Sequence, residues 1–269
     1  MSNETTIHKS LSIRISTDGL SFCIYAPAGL PRYTYKTVEV KPVVSMAANL
    51  KEALRTEPLL QQPYQRVNVL ITTPQFTTVP AVAFDREHVD DVFHFVFPGT
   101  ERTHVSYNLL RRAGIAIIFG LDKNVRQLLL DDFPRARFYA SASTLVEFFS
   151  ERSIIGKHRR MFVYLHDGEA TIYCFNQGRM LFANTYSVNG IADAQYYILN
   201  IWQQLGFNQL DDALSVISDG ERSAELVDKI RYFIKDVSLI ERNEDFRDTV
   251  TRGNTTIPYD LQALLVCGF

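Results

Sequence analysis

Two stretches of this chain, "ISTDGLSFCIYAPAG" (15–29) and "YLHDGEATIYCFNQG" (164–178), share one layout. In each, an Asp-Gly pair separates two apolar runs, and a further glycine stands ten residues after the first. Asp-Gly supplies the positive φ that a tight hairpin turn demands, so each stretch predicts two antiparallel strands. The sequences that follow are alike too. Residues 32–40 and 179–188 are rich in β-branched and aromatic side chains, and each reads as a third strand. A helical pattern comes next, over 43–56 and about 190–205, and then a buried strand over 67–72 and 213–218. A chain that twice writes strand–strand–strand–helix–strand has few ways to bury its apolar faces. It predicts an α/β fold, internally duplicated, with two lobes that each hold a mixed β-β-β-α-β sheet and flanking helices.

Local signals place the other elements. Pro42 is suited to the opening of the first helix. In the later helix Ile191, Ala194, Ile198, Ile201 and Leu205 form one stripe, and Gly206 is a stop. Between the repeats the reading is thinner: a Pro-rich crossing and an aromatic run, "DVFHFVF" (91–97), precede strands at 104–111 and 115–120. A helix capped by Asp122, a strand at 137–140 and a helix from Ser141 complete the first half. The charged "GKHRR" (156–160) marks the expected division into lobes 1–155 and 156–269. A helix is expected over 220–234, entered through Asp219-Gly220, and another in the closing "YDLQALLVCGF".

Composition narrows the function classes. Apolar residues are 46% and charged residues 22%, the balance of an ordinary globular chain, and the net charge of −2 gives no pull toward nucleic acid. The basic clusters Arg111-Arg112, Arg135 with Arg137, and 157–160 are scattered rather than aligned into a track. No run of about 18 apolar residues exists, so no membrane-spanning helix is expected. The start, "MSNETTIHKS", lacks a signal peptide's apolar core. Three cysteines without a C-x-x-C pair fit a reducing, cytoplasmic setting, and Cys23 and Cys174 read as small buried hydrophobes. The six histidines show no metal-ligand spacing, and no G-x-S-x-G elbow is present. No catalytic or metal-ligating residue is therefore assigned.

The β-β-β-α-β order in two lobes resembles the actin-like ATPase superfamily, a duplicated ribonuclease H-like fold shared by actin, sugar kinases, Hsp70-type chaperones and pilus-assembly actin-like proteins. The chain is similar to a Bacteroidetes family of unknown function assigned that fold. In active members, a D-x-G loop joins the first two strands of each lobe. Its glycine lets backbone N–H groups reach phosphates, and its Asp holds Mg²⁺ or its waters. Keeping strand alternation sets "IRIS" (13–16) and "FVYL" (162–165) against those motifs, so that Arg14 and Val163 replace the acids. The other alignment makes Ser16, Thr17, Asp18 and Gly19, with Asp167 and Gly168, shortened phosphate loops lacking the residue between Asp and Gly. Ser218, Asp219 and Gly220 resemble the turn that holds adenosine, with Asp219 in the place of a second glycine.

The resemblance thus implies a cytoplasmic, non-catalytic binding or scaffold protein with degenerate nucleotide loops, no required cofactor, and a protein partner. The rival expectation is a working ATPase or kinase-like enzyme using ATP and Mg²⁺ through those same residues. A ribonuclease H-like nuclease would need an acid in the first strand, where Arg14 stands.

Overall fold

The structure, a computed structural model, describes residues 9–267 apart from 18, 28, 30, 219–222, 242–244, 248, 250 and 253–255. Asp18, Asp219 and Gly220 therefore lie outside the described residues. The chain divides into two compact units, one of Met1–Gln75, Asp85–Asn108 and Ile118–Ser141, the other of Phe76–Phe84, Leu109–Ile117 and Ala142–Phe269.

The first unit contains β1 (Ser10–Ile15), β2 (Leu20–Tyr25), β3 (Tyr33–Val38), α1 (Met46–Thr56), β4 (Arg66–Ile71), α3 (Lys123–Asp132) and β8 (Arg137–Ala140). Its sheet runs β3-β2-β1-β4-β8. β1 pairs antiparallel with β2 and parallel with β4, as a hairpin followed by a helical crossover requires. Helix α1 begins at Met46 and not at Pro42. Ser45, in extended conformation, accepts a hydrogen bond from the Ala48 N–H, and Asn49 ties the lead-in down through the N–H and C=O of Lys41. The capping hydroxyl outweighs the proline because it satisfies a donor that the helix leaves open.

Between β4 and α3 the chain writes β5 (Phe76–Pro80), α2 (Val89–Val96), β6 (Thr103–Leu110) and β7 (Ile115–Asp122), with a sheet β5-β7-β6. The aromatic run 91–97 falls largely in α2. Phe93 is fully buried whereas Phe95 is 88% exposed, so that run fills the core only on one helical face.

The second unit holds α4 (Ser141–Ser153, but for Ser141), β9 (Arg160–His166), β10 (Glu169–Asn176), β11 (Arg179–Ser187), α5 (Ile191–Gln204), β12 (Ala213–Ser218), α6 (Ser223–Ile230), β13 (Asp236–Ile240) and α7 (Tyr259–Cys267). Its sheet runs β11-β10-β9-β12-β13, the same order as the first. Alternation sends Met161 and Val163 to one face, where they join Ile172, Leu214 and Val216 against Ile198 and Trp202 of α5 and Leu226 of α6. On the other face Phe162 stacks on Phe149 of α4 at 4.4 Å, and Tyr164 meets Tyr259 of α7 at 5.9 Å. A sheet helix-covered on both faces explains the near-continuous apolar runs of its central strands.

Cys23 and Cys174 are fully buried, and burial pushes the Cys23 thiol up to about 12. Gly120 in β7 lies so close to its neighbours that a Cβ there would be 2.5 Å from Thr103 Cγ2 and 2.6 Å from Phe93 Cζ. Gly120→Ala should therefore destabilise the protein by about 1–3 kcal/mol through overpacking, read as a lower urea midpoint at unchanged slope. An unchanged midpoint would contradict this packing.

Candidate functional site

The turn between β9 and β10 is built from two residues. His166 and Glu169 face each other as the last strand pair, and Asp167 and Gly168 between them have φ of 46° and 75°. Two positive φ values define the mirror-image turn whose twist matches a hairpin, and Asp-Gly is suited to it. The Val188 N–H donates to the Gly168 carbonyl at 2.9 Å, which sews the turn to the end of β11.

Beside this turn lies a cavity of about 640 Å³, which brings Asp167, Gly168 and Ser218 together with Gly190, Ile191 and Leu226. His166, one of six histidines without metal-ligand spacing, lines this cavity too. Its ring stacks on Tyr164 at 4.5 Å, Nε2 lies 3.1 Å from Thr171 Oγ1, and that hydroxyl lies 2.8 Å from Thr185 Oγ1. Nδ1 is buried, has no hydrogen-bond partner, and stands 3.6 Å from Asp167 Oδ2.

In the first unit Ser16 and Thr17 line a separate cavity of about 310 Å³, with Thr72, Gln75 and Gly120 in its wall. There the Ser16 N–H donates to the Gly19 carbonyl at 3.0 Å, and Ile15 pairs with Leu20. Ser16 and Gly19 thus hold the positions of His166 and Glu169, and Thr17 holds that of Asp167. Asp122, also in this cavity, is occupied as the cap of α3, accepting from the N–H groups of Asn124 and Val125 at 2.8 and 3.0 Å.

This register corrects the sequence correspondence between the repeats. Leu165 pairs with Ala170 and Ser218 as Ile15 pairs with Leu20 and Ile71, so Ile13 is the counterpart of Val163, and Arg14 that of Tyr164. Val163 is a core residue against α5 and α6. Buried Arg14 lies one residue out of step with it and so on the opposite face parity. The paired glycines differ as well. Gln177 and Gly178 form a second two-residue turn, with φ of 48° and 83°, whereas Gly29 lies in the longer connection between Tyr25 and Tyr33. Among the described residues there is no group of three or more His, Cys, Asp or Glu able to hold a metal ion.

A family model described as "Protein of unknown function (DUF3822)" matches residues 1–237. The chain belongs to that family. A Bacteroides thetaiotaomicron VPI-5482 protein, described as having an actin-like ATPase fold and unknown function, is 33% identical, with 98% of each chain covered and a TM-score of 0.84. The PilM-PilN type IV pilus biogenesis complex includes a chain 9% identical, with 89% of each covered and a TM-score of 0.54, a likeness of fold. No curated protein matches significantly. This DUF3822 chain therefore has an actin-like ATPase fold, the duplicated mixed sheet that the sequence predicts. No helix among its described residues is long and apolar enough to cross a membrane.

The positive φ at Asp167 makes a specific demand. Asp167→Asn should melt as the parent does, whereas Asp167→Val should lose about 1–2 kcal/mol because a β-branched residue is strained there. Equal melting of the two variants would refute the turn assignment.

Proposed function

We propose that this protein is a cytoplasmic, non-catalytic binding or scaffold protein built on an actin-like ATPase fold whose nucleotide loops have degenerated. The observation that carries this reading is the turn at Asp167 and Gly168. A phosphate loop of the kind the resemblance implies needs a residue between acid and glycine and a glycine-rich continuation, so that several N–H groups converge on one anion. Here the acid and glycine are the whole turn, and the flanking His166 and Glu169 are already strand-paired. A hairpin closed in this way leaves little backbone to wrap a phosphate.

Two further observations agree. Arg14, buried in the central strand of the first unit, is a cation in a strand where the resemblance implies a carboxylate. Thr17, the structural counterpart of Asp167, carries no charge. On this reading the described residues at the turn do not suit a Mg²⁺-nucleotide. A protein partner is supported by the PilM-PilN complex, in which a protein of this fold is part of a protein assembly. The rival reading, a nucleotide-binding enzyme, draws on one observation: the cavity gathers Asp167, Gly168 and Ser218 in one wall.

A thermal-shift titration with Mg²⁺-ATP and Mg²⁺-ADP separates the two. The proposal expects no saturable shift at millimolar nucleotide. Binding would stabilise the protein by about 2.7 kcal/mol at 100 times Kd, a large upward shift, and would overturn it.

A further inference from the structure

Each five-stranded sheet ends, on its parallel side, in one strand: β8 in the first unit and β13 in the second. The outer edge of such a strand is a row of N–H and C=O groups that another strand can join unless something covers it. The β8 edge is covered. The Asn108 side chain of β6 donates to the Phe138 carbonyl at 2.9 Å and accepts from the Ala140 N–H at 3.0 Å.

The shared register finds the same positions in β13. Asn68 pairs with Arg137 as Ser215 pairs with Ser238, so Leu239 and Glu241 correspond to Phe138 and Ala140. Val237, two residues before Leu239, turns its backbone groups outward with it. Arg231 agrees with this parity, for its guanidinium reaches the Val237 carbonyl at 3.3 Å from a side chain that is 53% exposed. Among the described residues no side chain bonds the Leu239 carbonyl or the Glu241 N–H. Beyond β13, Asp245 and Phe246 are held against Arg152 and Phe148 of α4, on the aromatic face of the sheet. Val237, Ser238 and Leu239 include no charge, proline or glycine that would keep another strand away, and Leu239 is 36% exposed.

The segment is complementary to itself. Paired antiparallel about Ser238, two copies set Val237 of each opposite Leu239 of the other. Both residues turn outward, so each such pair can exchange two backbone hydrogen bonds, the Leu239 N–H replacing the long bond from Arg231. Exposed Lys235, just before the strand, then comes to the end where exposed Glu241, just after it, stands in the other copy. Opposite charges meet at both ends, whereas a parallel pairing would set like beside like. Tyr232 and Phe233, 87% and 47% exposed, precede Lys235 and add apolar surface there. A five-residue ladder alone falls short of the roughly 1,200 Å² of a stable interface, so the association is weak and concentration-dependent.

We propose that two copies of this chain pair through the β13 edge about a two-fold axis, joining their second-unit sheets into one. Sedimentation velocity of the full chain from about 1 to 100 μM tests this, and a monomer–dimer equilibrium within that range is expected. Leu239→Pro removes an outward N–H and no bond to β12, so it should leave the chain folded and weaken the dimer about tenfold or more. Lys235→Glu and Glu241→Lys should each weaken it about tenfold, because each sets like charges together at both ends. An equimolar mixture of those two variants restores opposite charges at both ends and should dimerise as the parent does. A monomer across the whole range would overturn the proposal. So would a dimer that Leu239→Pro or the charge variants leave intact, which would be held by another surface, and so would a mixture no tighter than its components. Should Leu239→Pro fail to fold, the charge variants and their mixture still decide the outcome. The result is independent of nucleotide binding.

Discussion

The register of β9 governs the second unit. This strand is paired antiparallel with β10 and parallel with β12, and it has helices on both faces. Its odd positions, Met161 and Val163, must meet the aliphatic layer of α5 and α6, while Phe162 and Tyr164 must meet the aromatic layer around Phe149 and Tyr259. A slip of one residue would exchange the two layers and drive large rings into an aliphatic core. The two-residue turn at Asp167 and Gly168 fixes this register. The Asp167–Gly168 turn thus has a structural task that needs no ligand.

Much of this was legible in the sequence. Strand periodicity placed the three opening strands of each repeat within one or two residues, and "ALSVIS" matches β12 over 213–218. Asp122 caps α3 as its position implied. What escaped reading had physical causes. Residues 91–97 contain three phenylalanines and two valines with strand propensity, yet the segment is helical because Val89 and Phe93 bury one face of a surface helix of about two turns. Strand β13 is short and exposed at Asp236 and Ser238, so it lacks the apolar run that announces a central strand.

The candidate site was legible as a set of residues and misleading as a repeat. Asp18-Gly19 and Asp167-Gly168 have equal spacing to Gly29 and Gly178, but the structural repeat is offset by one residue from that spacing. Strand pairing, which sequence spacing does not report, makes Thr17 the counterpart of Asp167. The repeat in the fold is real; the repeat in the Asp-Gly motif is a product of two hairpins that each needed a turn. His166 was invisible for a related reason. Only the fold shows that it is buried beside Asp167 and linked through Thr171 to Thr185.

The account's central claim is that the Asp167–Gly168 turn is a closed structural hairpin and not a ligand-responsive loop. Amide hydrogen exchange across 164–170 and 186–191, measured with and without Mg²⁺-ATP, tests it most directly. The account predicts strong protection at Val188, whose N–H is held by the Gly168 carbonyl, and the same exchange pattern in both conditions. Rapid exchange at Val188 without nucleotide, with protection appearing when nucleotide is added, would contradict it.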